Sequence, residues 1–275
     1  MGHSPSRAQK THDAVTFLQA RFGREGDAQR AVGAKAYMKS ALRFVGVTQA
    51  QLRAAARDYV TGHPELTRSD LHQLSRAAFA TDAFEVRSGA IAILERKRKL
   101  LTEEDLSWQL DLVREASCWA HVDWLATKVI GFVVSDGPLA KKSLRLWARD
   151  PHLWVRRTAL LAQEDALRSG TGDYALFAQI AEPMLVEREL WIRKAIGWVL
   201  RDLSRKRPEL TCAFLRQHAT RCSGLICREA SKHLDPAVQA ELRSGSIQSN
   251  QSTRRRQPLA KTLLWRVLGT PGTRS

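Results

Sequence analysis

Apolar residues recur along this chain at three- and four-residue spacing, the period of one helix face rather than the alternation of a strand. Leu153, Val155, Ala159, Leu160 and Ala162 follow this rule, as do Ile192, Ile196, Val199, Leu200 and Leu203. β-Branched alternation is nowhere sustained. No Asn-Gly or Asp-Gly turn separates two alternating runs, because Asp136-Gly137 leads into Pro138 and a helical stretch. Ala, Leu, Arg, Glu and Gln, all good helix formers, dominate. The pattern predicts a nearly all-helical chain, with Pro151, Pro183, Pro208 and Pro236 between helices.

A longer period lies over the short one. Trp191-Ile-Arg-Lys-Ala195 resembles Trp154-Val-Arg-Arg-Thr158, 37 residues earlier, and Ile226-Cys-Arg-Glu-Ala230, 35 residues later. Glu85-Val-Arg-Ser-Gly89 and Trp119-Ala-His-Val-Asp123 fall near the same phase. A helix pair repeating every 34 to 37 residues cannot bury its apolar face alone and must stack on its neighbours. The expected fold is therefore all-α, a HEAT-like helical-repeat solenoid. Such a stack presents one helix of each repeat on a concave surface, wide enough to hold a duplex by its phosphates.

Charge changes the picture next. With 44 Lys+Arg against 28 Asp+Glu, the 275 residues carry +16, which points to a polyanionic partner. Seven of the basic residues lie beyond residue 242 with no acid among them, leaving +9 on the body. The expected division is a flexible start at 1–12, a folded body at 13–242, and a basic, flexible tail at 243–275. That tail holds Arg254-Arg255-Arg256 and a short apolar patch from Leu259 to Leu268 around Trp265. The body's charge is expected along the concave face, where it would hold a polyanion such as nucleic acid.

Other features narrow the class. At 44% hydrophobic and 26% charged, the chain is not wholly disordered. Its longest apolar run, Val129 to Val134, is far short of the roughly 20 residues that span a bilayer, and the first residues lack a signal-type apolar stretch. Four cysteines in a chain of this length read as reduced thiols, which sets the expectation of a cytoplasmic, nucleoid-associated monomer with no membrane partner. Cys212, His218, Cys222, Cys227 and His233 cluster in sequence, but without a C-x-x-C pair they read as scattered side chains and not as a zinc site. Walker A, dinucleotide-binding, H-E-x-x-H and G-x-S-x-G motifs are all absent from the sequence.

The segment Ser117-Cys-Trp-Ala-His-Val-Asp-Trp124 carries more chemistry. On a helix Trp119 and Asp123 are i and i+4 and share a face, while His121 points elsewhere. A carboxylate beside an aromatic wall suits a reaction that develops positive charge, since it stabilises the cation and orients a water. The same spacing also fits an Asp paired with an arginine and a Trp packed in the core, the commoner arrangement. Most of the eight tryptophans are expected to be core residues. Arg156 and Arg157 after Trp154, with Trp191, Trp198 and Arg201 in the next unit, fit a surface that holds phosphate and stacks on bases.

At these residues the sequence resembles the AlkD-type DNA alkylation repair enzymes, HEAT-like all-helical DNA glycosylases. Lys194-Ala-Ile-Gly-Trp-Val-Leu-Arg201 looks like that family's K-A-I-G-W-V-L-R nearly letter for letter. Leu153-Trp-Val-Arg-Arg157 resembles its W-L-x-R element, and Ser117 to Asp123 its S-W-W-D-x-V-D. Ala36-Tyr-Met-Lys39 with Phe44-Val-Gly46 resembles Y-M-K…F-x-G, and Arg228-Glu-Ala-Ser-Lys-His233 resembles R-E-A-I-K-H. The likeness runs collinearly from about residue 13 to about residue 240. Cys118 and Ala120 depart from it, standing where the family has Trp and Asp.

The resemblance implies that Asp123 is the catalytic carboxylate, with Trp119 and Trp198 as aromatic faces around the lesion and Tyr37 contributing from the first helices. It implies that Arg157 holds the phosphate backbone and that Arg201 is a further DNA contact. Lys39, within the Y-M-K element, and Arg156, beside Arg157, join the expected DNA-binding set. The implied activity is hydrolysis of the N-glycosidic bond of N3- or N7-alkylated purines in double-stranded DNA, such as 3-methyladenine and 7-methylguanine, without metal or cofactor. The contrasting readings are a non-catalytic HEAT-like scaffold for nucleic acid or protein, and an RNA-binding helical repeat supported by charge alone.

Overall fold

The structure is a computed structural model that describes residues 7–135 and 137–242. No strand occurs among the described residues. The chain runs through α1 (Arg7–Glu25), α2 (Ala28–Met38), α3 (Gln49–Gly62), α4 (Arg68–Phe79), α5 (Phe84–Lys97), α6 (Leu106–Glu115), α7 (Trp119–Trp124) and α8 (Gly131–Val134). It continues with α9 (Pro138–Trp147), α10 (Leu153–Leu161), α11 (Glu164–Ser169), α12 (Tyr174–Met184), α13 (Leu190–Leu203), α14 (Pro208–Gln217) and α15 (Gly224–Ala230). Helix α1 already begins at Arg7, inside the segment expected to be flexible, while the tail with Trp265 lies outside the described residues.

Local sequence explains where the helices start. Thr48 with Gln51, and Thr67 with Asp70, form reciprocal capping boxes at α3 and α4, and Asp173 and Ser223 cap α12 and α15. Pro208 opens α14, where its missing N–H costs nothing. Pro183 corrects the expectation drawn from the prolines, for it lies inside α12 and not between helices. It stands in the last turn, so only one helical bond is forfeited before the helix ends at Met184.

The repeat is visible in the architecture. Helices α5, α7, α10, α13 and α15 begin at Phe84, Trp119, Leu153, Leu190 and Gly224, at intervals of 34 to 37 residues, and each packs on the next. These starts coincide with the segments that resemble one another in the sequence. Polar contacts repeat the same interval. Arg68 to Thr102, Arg114 to Asp150, Lys128 to Asp165 and Tyr174 to Leu210 are hydrogen bonds between residues 34 to 37 apart. In a stack of similar units, equivalent positions of adjacent repeats are neighbours, and this ladder follows.

The repeated arginine also acquires a cause. Arg87, Arg156 and Arg193 each reach back to the carbonyl six residues earlier, on Thr81, Asp150 and Glu187, at 2.7 to 3.0 Å. Each ties down the turn that enters a helix of the α5–α15 row. At these three positions the recurring arginine is therefore a device of the fold.

Candidate active site

One row of helices supplies almost all of the site. Trp119 and Asp123 come from α7, Arg157 from α10, Trp191, Lys194, Trp198 and Arg201 from α13, and Glu229 from α15. With Tyr37 and Lys39 at the end of α2, they line a cleft of about 590 Å³. The row brings them together because their sequence spacing is close to the repeat length.

Helix α7 does not stop after Asp123 and Trp124. It widens into a π-helical turn at Leu125–Ile130 and resumes as α8. The Asp123 carbonyl accepts a bond from the Thr127 hydroxyl at 2.8 Å. Such turns are rare, and those that occur are frequently at functional sites.

The Asp123 carboxylate is gripped by Arg157. Nε donates to Oδ1 at 2.7 Å and Nη2 to Oδ2 at 2.8 Å, and Nη1 donates to the backbone carbonyl of Trp191. The Arg157 side chain is 3% exposed and that of Asp123 12%, so the pair is buried but the carboxylate keeps an opening to the cleft. Burial pushes the Asp123 carboxyl above its ordinary range, opposed by the hydrogen bonds and charge of Arg157 and by the charge of Lys194. A guanidinium in a two-pronged pair holds its partner as an anion.

Aromatic faces surround the carboxylate. Trp119 stacks on Trp191 at 6.0 Å and 23°, and Tyr37 meets Trp119 edge-on at 5.8 Å. The Arg157 guanidinium and the Lys194 ammonium sit over Trp191 at 5.5 and 5.1 Å. Trp198 donates its indole N–H to Asp202 at 2.7 Å, which sets the orientation of that wall.

Helix α2, which brings Tyr37, buries none of its own residues. It is anchored at its base instead. Asp27 N–H donates to the Val45 carbonyl at 2.9 Å and Arg30 Nε to the Gly46 carbonyl at 2.6 Å. The buried Glu85 carboxylate receives the N–H groups of Val45 and Gly46. Gly46 has φ +81°, and a Cβ there would fall 2.2 Å from the Asp27 carbonyl, which is why this turn requires glycine.

The family model for DNA alkylation repair enzymes matches residues 18–234. This chain belongs to the DNA alkylation repair enzyme family. A solved structure from Enterococcus faecalis, described as a predicted DNA alkylation repair enzyme, is similar over 77% of this chain and 98% of its own, at 22% identity and a TM-score of 0.67. AlkD2 from Streptococcus mutans is similar over 76% of this chain and 100% of its own, at 20% identity and a TM-score of 0.52. Likeness at these identities speaks for the helical-repeat fold. Among proteins of curated function, none matches.

In this family member the expected residues divide into three groups. Asp123, Trp119, Trp198, Tyr37, Lys39, Arg157 and Arg201 all line the cleft. Arg157 and Arg201 are not open cations, however. Arg157 is held by Asp123, and Arg201 by Asp202 at 3.0 Å and by Glu229. Arg156 lies away from the cleft and pairs with Glu187 at 3.2 Å, because consecutive residues on a helix point about 100° apart.

Asp123 is paired with an arginine, as in the commoner structural arrangement. Trp119 is half-buried on the cleft wall and not in the core. More widely, Trp108, Trp124 and Trp147 are core residues, whereas Trp119, Trp154, Trp191 and Trp198 are half-buried. The expectation that most tryptophans would be core does not hold among the described residues. Lys194 and Glu229 carry no site role in the sequence reading, and Trp191 enters it only as part of a phosphate-holding, base-stacking surface. The available signal was the repeat: Trp191 stands 34 residues after Arg157, which stands 34 after Asp123.

His121 faces away from the cleft, as expected. It is fully buried, stacks on Phe84 at 4.5 Å and bonds Ser88 Oγ at 3.0 Å. Burial drives its pKa down to about 3, against the Phe84 carbonyl.

Proposed function

We propose that this protein is a DNA glycosylase that releases N3- or N7-alkylated purines, such as 3-methyladenine and 7-methylguanine, from duplex DNA. The observation that carries the reading is the Asp123–Arg157 pair, buried yet open to a cleft walled by Trp119, Trp191 and Trp198. Alkylation at N3 or N7 leaves the purine cationic. Its departure as a neutral base takes up the electron pair of the breaking glycosidic bond, so little protonation of the base is required. What needs stabilising is the oxocarbenium-like sugar, and an anion in a low-dielectric cleft does this.

Each oxygen of a carboxylate accepts two hydrogen bonds. Arg157 uses one site on each oxygen of Asp123, leaving acceptor capacity to orient the water that attacks C1′. That water passes a proton to the Asp123 carboxylate as the new C–O bond forms. The indole faces hold the cationic base, and the exposed Lys39 and Lys194 at the rim suit the flanking phosphates. The basic tail is assigned the part of a sequence-independent tether to DNA. A purely structural scaffold has no use for a charged pair held open between aromatic walls.

Incubation with methylated duplex DNA and identification of the released bases by mass spectrometry tests the reading. Native protein is expected to liberate methylated purines. Asp123→Asn is expected to keep duplex binding while release falls by on the order of 10²–10³-fold. Absence of any released base at saturating protein, or release by Asp123→Asn at the native rate, overturns it.

A further inference from the structure

Behind the Trp198 wall, on the side away from the cleft, two carboxyl groups meet. Asp202 on α13 and Glu164 at the start of α11 are both buried and lie within hydrogen-bond reach of each other. Asp202 has two further duties. Its Oδ2 accepts the Trp198 indole N–H at 2.7 Å and its Oδ1 accepts Arg201 Nε at 3.0 Å. Both partners line the cleft, so one carboxylate sets an aromatic wall and a cation together. A buried carboxylate cannot sit against another unless a proton lies between them.

We propose that Glu164 is a positioning residue of the cleft, whose carboxyl proton, donated to Asp202, keeps that carboxylate in place to hold Trp198 and Arg201. The role concerns the function proposed above and rests on it. It accounts for a carboxyl group buried on α11, where an apolar residue would pack without cost.

The charged surroundings bear this out. On its own helix, Glu164 faces Arg168, whose Nε donates to it at 3.1 Å, and Asp165. Asp165 is itself engaged by Lys128 of the π turn at 2.7 Å and by Arg168. From α13 it faces Asp202, with Arg201 and Arg205 beyond, the latter 3.8 Å from Asp202. Burial pushes Glu164 up to about 7, aided by the charges of Asp165 and Asp202. Burial works in the same direction on Asp202, but Arg201, Trp198 and the Glu164 proton together hold it below the usual carboxylate range. The proton accordingly belongs to Glu164.

Loss of that proton as pH rises through about 7 leaves two adjacent anions. Asp202 then swings from Glu164 and its bond to the indole weakens. Glu164→Gln keeps an N–H donor toward Asp202 but does not titrate, so it separates the proton from the shape.

The experiment follows the indole N–H resonance of Trp198 in isotope-labelled protein, identified with Trp198→Phe, between about pH 6 and about pH 8.5. Base release from methylated duplex is measured over the same range. In native protein the resonance should shift with a midpoint near 7, and KM should rise about tenfold on the alkaline side with kcat little changed. Both changes should be absent in Glu164→Gln. A resonance that does not move, or moves equally in Glu164→Gln, overturns the positioning role whatever the activity. A resonance that titrates in a protein releasing no base upholds the Glu164–Asp202–Trp198 linkage and counts against the glycosylase reading alone.

Discussion

Arg157 holds both oxygens of Asp123 through Nε and Nη2 and gives its remaining amino group to the backbone carbonyl of Trp191. One guanidinium thus links α7, α10 and α13, three successive members of the row that lines the cleft. The planar, two-pronged geometry fixes the direction of the carboxylate as well as its charge.

A lysine cannot reproduce this fork. Arg157→Lys should retain the fold but lower base release by about 10- to 100-fold, since the carboxylate loses its fixed aim. Arg157→Ala leaves a buried carboxylate unpaired and should cost about 3–5 kcal/mol of stability. Urea unfolding combined with release rates checks both. Native release by Arg157→Lys would mean that the orientation of Asp123 is unimportant.

Trp191 should behave as a third aromatic face. Its ring lies against Trp119 and beneath both Arg157 and Lys194, and the bond to Arg157 uses its backbone, which survives substitution. Trp191→Ala is therefore expected to weaken binding of alkylated duplex by about 1–3 kcal/mol with the fold retained. Equal losses on undamaged and alkylated duplex would place the ring outside lesion recognition.

The adjacent arginines give a sharp contrast to the rim lysine. Arg156 is tied to the carbonyls of Asp150 and Pro151 and to Glu187, so Arg156→Ala should cost about 1 kcal/mol of stability and leave the salt dependence of DNA binding as it was. Lys194→Ala should do the opposite, reducing the slope of log K against log salt by about 1. Binding titrations at several salt concentrations distinguish the two.

Acid sensitivity should centre on His121. Its folded-state pKa of about 3 lies below the ordinary 6.5, so the unfolded chain binds the proton more readily. The stability it contributes is complete above about pH 6.5 and is lost as pH falls toward 3, amounting to about 2–3 kcal/mol by pH 4.5. His121→Gln should flatten the dependence of the urea midpoint on pH in this range. An unchanged slope would assign the acid limb to other groups.

The sequence by itself determined the helical class and the repeat, and its resemblance to a known family named most of the residues that line the cleft. Periodicity reports which residues face a neighbour, and the recurrence of Trp154-Val-Arg-Arg157 and Trp191-Ile-Arg-Lys194 reports which helices stand side by side. Those are local and near-neighbour properties, and a solenoid has few others. The placement of Asp123 beside Trp119 was legible for the same reason, being one helical turn.

Only the tertiary structure decided how each side chain is used. Arg156 and Arg157 are consecutive and chemically identical, yet one secures a turn and the other the carboxylate. The difference is a rotation about α10 that composition cannot encode. Likewise Glu164 and Asp202, 38 residues apart in the chain, act on each other's ionisation because two helices bury both groups in one low-dielectric place. Burial and packing across repeats settle charge state and orientation, and they arise only when the helices are stacked.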